Sequence, residues 1–127
     1  YRYGETLAHN SAEKTIFRLC LQDKVRHMAY GLEHLRHAVT QKPDKILVFQ
    51  NLLDVGEPVV VRELDDTVLP EALAIIMAHS VKDARKQMRA VKHLMGDFVR
   101  LYLRYTDWVG LPRRNKLHEG LSAFLEF

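Results

Sequence analysis

An apolar stripe with helical spacing restricts the fold of this chain more than any other feature. Between residues 17 and 39 the apolar side chains recur every three or four positions, as they do along one face of an α-helix. The stripe consists of Phe17, Leu21, Val25, Met28, Leu32, Leu35 and Val39. Asn10 and Ser11 precede it as helix-capping residue types, and Pro43 follows it. The sequence therefore predicts one long helix, over about residues 12–39, whose apolar face packs in a core.

Helical spacing continues beyond Pro43, because only four prolines and six glycines interrupt the 127 residues of the chain. Pro43 can open a second helix, and we expect Gly56 and Pro58 to interrupt it. The valines at 59–61 are the one candidate for a strand, but so short a run before Arg62 favours a short helix. The first half of the chain is therefore predicted to be helical throughout.

The second half carries three further helices in this interpretation. The polar residues at 65–67 can cap a helix that runs through Ala78. Ser80 can cap the next helix, which is expected to end at Gly110, and a short helix is expected around 115–127. The sequence thus predicts an all-α fold in which residues 1–127 form a single all-helical domain.

Composition and charge exclude several classes of protein. Apolar residues make up 47% of the chain, which is enough for a core and argues against long disordered segments. Cys20 is the only cysteine, so an intrachain disulfide is impossible, and we interpret it as a small core residue. The longest apolar run, residues 72–78, is far shorter than the roughly 20 residues of a membrane-spanning helix. Without a basic and apolar signal segment at its start, the chain is expected in the cytoplasm.

The segment from Leu21 to Gly31 places polar groups inside the long helix. Lys24 and His27 are three residues apart, so they project from nearly the same side of the helix. Their face adjoins the apolar stripe. We therefore expect these polar side chains to point toward neighbouring helices.

This segment resembles the Asp-Glu-x-x-His helix of the ferritin-like carboxylate superfamily, in particular bacterial members that read Gln-Asp-Glu-x-Arg-His-x-x-x-Gly. Here residues 22–31 read Gln-Asp-Lys-Val-Arg-His-Met-Ala-Tyr-Gly, and the likeness covers residues 15–34. In that superfamily a four-helix bundle holds two irons, with one Glu from each of two helices and a Glu-x-x-His from each of the other two. The resemblance implies that His27 occupies the histidine-ligand position. It also implies that Asp23 lies behind the ligands and orients a histidine ring.

Lys24 stands where the family has its ligand Glu. An ammonium has no lone pair to offer a metal at neutral pH, and it replaces a negative ligand with a positive charge. The resemblance therefore implies a diiron-type oxidoreductase or oxygenase that uses two Fe ions, or a descendant whose site is altered and metal-free. In the altered site, Lys24 supplies the positive charge and pairs with carboxylates on partner helices.

The resemblance also predicts how the chain is organised. Residues 1–40 correspond to the last core helix of such a bundle, and residues 41–127 form a C-terminal helical extension. The other ligand-bearing helices are then expected upstream of Tyr1, in a longer precursor, or in a second chain. Because those helices would cover faces that this chain exposes, we expect it to associate as a homo- or hetero-oligomer.

Two other classes of function remain open. The first is a non-catalytic helical interaction or scaffold module, in which Lys24 forms a buried ion pair and the apolar extension docks a partner or a second copy. The second is binding of nucleic acid or another anionic partner through a basic helix face. That face consists of Lys82, Arg85, Lys86, Arg89, Lys92 and His93, and further charge follows at Arg113, Arg114 and Lys116. Its spacing is that of any solvated helix face and the net charge is only +3, so nucleic acid is the less favoured partner.

Two smaller features complete the candidate residues. Glu33, His34 and His37 have helical spacing that allows a two-ligand metal contact, although a solvated helix end explains them better. Tyr30 lies one turn from His27 and is the candidate for redox chemistry, but a packed aromatic side chain is the favoured interpretation.

Overall fold

A computed structural model of the protein, which describes residues 1–66 and 68–127, consists of helices, turns and connecting segments. Its helices are α1 (Arg2–Leu7), α2 (Ser11–Gln41), α3 (Ile46–Asp65), α4 (Val68–Ala78), α5 (Ala84–Val109) and α6 (Glu119–Ser122), with 3-10 turns at Pro43–Lys45 and Ala123–Glu126. These helices pack together without any strand in the described ranges, so the predicted all-α class is confirmed. None of the described helices is both long and apolar enough to cross a membrane.

The long helix α2 begins and ends close to its predicted limits. Asn10 is its N-cap: its Oδ1 accepts a hydrogen bond from the backbone N–H of Glu13 at 2.9 Å. The Glu13 carboxylate in turn accepts from the backbone N–H of His9 at 2.8 Å, so two otherwise free donors are satisfied. The helix stops at Gln41, just before Pro43. Local capping chemistry thus explains why the sequence predicts this element well.

The helix α1 folds back onto α2. Gly4 lies so close to the Phe17 ring that a Cβ at this position would come within 2.4 Å of the Phe17 Cε1 atom. Arg18 also donates a hydrogen bond from Nε to the Glu5 carboxylate at 2.8 Å. The absence of a side chain at Gly4 therefore allows the two helices to approach closely.

The predicted interruption at Gly56 and Pro58 is wrong, because α3 runs through both residues. A proline inside a helix removes one N–H donor and frees the carbonyl four residues earlier, here that of Asp54. Gly56, Pro58 and Asp54 are all exposed, so solvent can bond the freed carbonyl. The valines at 59–61 are helical, as favoured, but they belong to α3 and do not form a separate helix.

The remaining helix limits differ from the prediction mainly at their starts. Among the predicted caps at 65–67, Asp66 Oδ1 accepts from the backbone N–H of Val68 at 3.0 Å, and Thr67 lies outside the described residues. Ser80 accepts from the N–H of Lys82 in a turn, and α5 begins only at Ala84. The predicted helix at 115–127 is limited to α6 and the 3-10 turn that follows it.

The end of α5 is as expected. Gly110 adopts φ 86° and ψ 21°, a left-handed conformation that a glycine takes at no steric cost.

The core consists of two small clusters of buried side chains. One unites Val39 of α2 with Val109 and Leu111 at the end of α5. The other lies between α4 and α5, which form the most extensive helix pair. Val39 is the only fully buried residue of α2, and Leu32 and Leu35 pack against its cluster, so the predicted apolar stripe reaches the core only over its last three members. The helix contacts the core at one end and leaves most of its surface free.

Candidate functional site

A cleft of about 1110 Å³ separates the middle of α2 from α5. Lys24 lies on its α2 wall, between the apolar side chains of Leu21, Val25 and Met28. The opposite wall is also largely apolar, and it is formed by Leu94, Phe98, Leu101, Leu103, Leu117 and Leu125. Lys24 therefore lies opposite a neighbouring helix, as expected for its side of α2. The cleft exists because α2 and α5 are held together near Val39 and not along their full length.

The cleft carries an excess of positive charge. Its ionisable side chains are the cations Arg2, Lys24, Arg100, Arg104 and Arg114 and the anions Asp97 and Asp107. Arg100 binds Asp97 with a Nη1 to Oδ1 distance of 3.1 Å. In the part of the chain that the structure describes, the other four cations form no ion pair. Unpaired cations beside apolar walls attract an anionic group that can bring apolar surface with it.

The predicted ligand His27 lies on the solvent side of α2, not in the cleft. Its ring Nδ1 is 3.6 Å from Oδ2 of Asp23, and its side chain is 69% exposed. Arg26 shares the same carboxylate, with Nη2 3.3 Å from Oδ1. The structure thus brings Asp23 and His27 together, while Lys24, about 60° around the helix from His27, lines the cleft. That separation follows from the helical rotation of about 100° per residue.

The side chains of this chain do not make a diiron site by themselves. Among residues 1–66 and 68–127, no group of three or more His, Cys, Asp or Glu side chains is placed to hold a metal ion. His9 and His79 also lie together, with Nε2 and Nδ1 3.2 Å apart, but they are two donors without a third. Since Lys24 adds a cation near His27, the donor set does not fit two irons unless other helices supply carboxylates.

The other polar residues of α2 make surface contacts. Glu33 binds Arg36 at 3.0 Å, and the His34 ring is stacked on Tyr30 with centroids 6.3 Å apart. Tyr30 is 76% exposed, so the expected packed aromatic side chain is wrong. Cys20, expected in the core, is half-buried. The described chain covers Cys20 only in part and Tyr30 hardly at all, because α2 reaches the core only near Val39.

The basic face of α5 is solvated, as its spacing indicates. Its five basic residues are all exposed, as is Lys82, which lies in the turn before α5. Lys86 binds Asp83, and Lys92 Nζ lies 4.7 Å from the centroid of the Phe127 ring. Two of the cations therefore already interact within the chain.

The most highly connected polar group in the described chain centres on Arg113. The sequence counted Arg113 among the basic residues that could meet an anionic partner, and that expectation is wrong because Arg113 is buried and paired inside the chain. Arg113 is fully buried, and its guanidinium reaches three side chains of α3. Its Nε donates to Glu57 and its Nη1 to Gln50, both at 2.7 Å, while its Nη2 binds Asp54. Nη2 also donates to the backbone carbonyl of Lys116 at 3.2 Å. This cluster fastens the segment after α5 onto α3.

The carboxylate of Glu57 is the centre of this network. Besides Arg113, it accepts from the hydroxyl of Tyr102 at 2.6 Å and from the backbone N–H of His118 at 2.8 Å. Burial on its own raises the pKa of Glu57, but the hydrogen bonds from Arg113, Tyr102 and His118 outweigh it, so the pKa lies below its usual value. Burial and the hydrogen bond to Glu57 raise the pKa of Tyr102. The Glu57 hydrogen bond likewise raises the pKa of Arg113, and all three groups keep their ordinary charge at neutral pH.

The lowered pKa of Glu57 makes the free energy of unfolding depend on pH. Because the pKa of Glu57 is lower in the folded chain than its usual 4.5, the stabilisation is fully present above about pH 4.5 and is lost as the pH falls through the folded value. We expect the difference in free energy of unfolding between the unaltered chain and Glu57→Gln to shrink below pH 4.5. Urea denaturation at a series of pH values measures it, and a difference that is constant with pH would contradict the assignment.

A spacing signal for the network was present in the sequence. Gln50, Asp54 and Glu57 follow one another at four and three residues, which is one face of a helix. Their partner Arg113 is more than fifty residues away, and only tertiary packing brings it to that face.

Comparison of the chain with family models, curated proteins and solved structures found no match.

Proposed function

We propose that this chain is a helical interaction module whose cleft beside Lys24 binds an amphipathic helical segment that carries carboxylates. The observation that carries the proposal is the lining of the cleft, which combines apolar walls with four cations that have no ion-pair partner among the described residues. An apolar groove is the usual receptor for the apolar face of a helix, and flanking cations select acidic residues at the edge of that face.

The ferritin-like resemblance supports the same partner chemistry. If residues 1–40 are the last core helix of such a bundle, the helices that face Lys24 come from the rest of the bundle. Those helices carry the family's Glu ligands, so Lys24 would meet carboxylates where the family binds cations. The unpaired side of α2 and the cationic cleft are both what such an arrangement requires.

A synthetic amphipathic peptide of leucine and glutamate tests this proposal. We expect it to bind the chain in a calorimetric titration, with an affinity that falls as salt is raised, because salt screens the attraction of exposed charges. A peptide of leucine and lysine with the same pattern is expected not to bind. Equal binding of both peptides, or of neither, would contradict the proposal.

A matched pair of variants locates the binding. Lys24→Glu is expected to lower the affinity for the acidic peptide about tenfold, because an attractive charge contact becomes a repulsive one. Lys14→Glu makes the same change of charge on an exposed residue of α2 that does not line the cleft, and it should leave the affinity nearly unchanged. If both variants weaken binding equally, only the net charge of the chain matters and the cleft is not the site.

A second candidate function is a diiron-type oxidoreductase or oxygenase completed by helices from elsewhere. The observation that favours it is the contact between Asp23 and Nδ1 of His27, which leaves Nε2 without a hydrogen bond among the described residues. Orienting carboxylates of this kind accompany histidine ligands in metalloproteins. Two irons, if held there, would supply the reaction with dioxygen. Of this chain's residues, His27 would ligate and Asp23 would fix its ring.

Iron content distinguishes the two candidates. The module predicts no iron in the purified chain, and Lys24→Glu is expected to increase iron uptake if the site descends from a diiron centre. About two irons per complete bundle in the unaltered protein would favour the oxidoreductase. If neither the unaltered chain nor Lys24→Glu takes up iron, the oxidoreductase candidate is contradicted.

A further inference from the structure

Two histidines meet at the connections that precede the helices α2 and α5. His9 lies between α1 and α2, and His79 lies between α4 and α5. Nε2 of His9 is 3.2 Å from Nδ1 of His79, and the two rings meet edge to face with centroids 4.5 Å apart. Both residues are exposed, so water competes for the hydrogen bond and the bond alone adds little stability. The two facing nitrogens are accessible to a ligand that can bind both.

The backbone of His79 is held in a left-handed conformation. Its φ is 54°, and His79 is the one residue other than glycine with a positive φ among those that the structure describes. It directly follows the last residue of α4, a position where glycine is common because it adopts this conformation at no steric cost. Backbone strain of this kind is found where a side chain has a function, and the His79 ring is directed at His9.

The distance between the two facing nitrogens matches that of a pair bound to one zinc ion. Imidazole nitrogens bind Zn²⁺ at about 2.0–2.1 Å, so two of them at a tetrahedral angle lie about 3.3 Å apart. The observed distance is 3.2 Å, and a small rotation of either exposed ring aims both lone pairs at one ion. The outer nitrogens, Nδ1 of His9 and Nε2 of His79, form no hydrogen bond within the described chain. Each can therefore carry the ring proton while the facing nitrogen binds the metal.

A carboxylate beside His9 favours a cation at this point. Glu13 accepts a hydrogen bond from the backbone N–H of His9 and another from Nδ2 of Asn10, both at 2.8 Å. Because both of its oxygens are engaged, Glu13 supplies nearby negative charge and does not act as a third ligand. The two remaining positions of a tetrahedral ion then hold water.

We propose that His9 and His79 form a zinc site that fastens the N-terminal ends of α2 and α5 to each other. Val39 follows His9 by thirty residues. Val109 follows His79 by the same number, and the two valines share a buried cluster. The helices therefore run side by side in the same direction, with the apolar cluster at one end and the histidine pair at the other. No described residue of α2 before Val39 is buried, so the metal would hold the end that the core does not.

Calorimetric titration of the chelator-treated chain with Zn²⁺ tests the proposal. We expect one Zn²⁺ to bind per chain and to raise Tm, because an ion that binds only the folded chain stabilises it. Mg²⁺, which prefers oxygen ligands, should do neither. The absence of saturable binding up to about 1 mM Zn²⁺, or binding that leaves Tm unchanged, would overturn the proposal.

Two variants locate the ion. His79→Gly should lower the affinity for Zn²⁺ about tenfold or more, yet fold at least as stably as the unaltered chain without metal, because glycine accepts the left-handed backbone. His9→Ala should lower the affinity by as much.

His27→Ala is the matched control, since His27 is an exposed histidine of α2 that contacts Asp23 and lies outside the pair. It should bind Zn²⁺ with unchanged affinity, and so should Lys24→Glu, which makes the test independent of the cleft. Unchanged binding by His79→Gly, or an equal loss in His27→Ala, would overturn the proposal.

Discussion

Arg113→Ala should lower the free energy of unfolding by about 3–5 kcal/mol. The variant removes all of the guanidinium hydrogen bonds to Glu57, Gln50 and Asp54. It also leaves the Glu57 carboxylate buried beside an empty space, which costs more than the bonds themselves. Urea denaturation at neutral pH measures the loss.

The neighbouring residue supplies the control for this prediction. Arg114 is exposed and forms no ion pair in the described chain, so Arg114→Ala should change the free energy of unfolding by less than about 0.5 kcal/mol. Arg113→Lys should fall between the two, because an ammonium keeps the charge but not the planar fork that contacts several partners at once. If Arg113→Ala and Arg114→Ala unfold alike, the network does not stabilise the fold.

Gly96→Ala should destabilise the chain by about 1–3 kcal/mol. Gly96 is buried on α5, and a Cβ there would lie 2.6 Å from the backbone carbonyl oxygen of Phe124 and 3.0 Å from Nη1 of Arg100. The Arg100 side chain can move away, but the backbone of the C-terminal 3-10 turn must shift as a unit. Thermal or urea unfolding measures the effect.

Gly31→Ala is the matched control and should act in the opposite direction. Gly31 lies in the exposed middle of α2, and a Cβ there meets nothing within 4 Å. Replacing a glycine by alanine in a helix interior stabilises it by about 0.5–1 kcal/mol. A loss of stability at Gly31, or none at Gly96, would contradict the helix packing described above.

The helices that could be predicted from sequence are those whose ends are specified locally. Asn10 caps α2 by a hydrogen bond three residues away, and Gly110 ends α5 through its own backbone conformation. The prediction failed at Gly56 and Pro58 because tertiary contacts of α3 outweigh the local preference to break. The hydrogen bonds of Arg113 to Gln50, Asp54 and Glu57 are among those contacts.

The sequence could predict the relative positions of candidate site residues only where they lie on the same helix. Helical spacing along α2 accounts for the contact of Asp23 with His27 and for the position of Lys24 on the wall of the cleft. The cleft itself depends on where α2 leaves α5, which no local pattern encodes. The periodicity predicted that the apolar residues from Phe17 onward share one face of a helix. It does not say whether the surface that covers this face belongs to the same chain.

Amide hydrogen exchange with and without the acidic leucine–glutamate peptide tests the central claim, binding in the Lys24 cleft, most directly. We expect the peptide to slow exchange in residues 21–28 of α2 and 94–104 of α5, which line the cleft, because binding stabilises the helices it contacts. Exchange in the C-terminal turns of α2, which already contact the core, should change little. Slowing confined to the basic face of α5, or no slowing at all, would contradict the account of this chain as an interaction module.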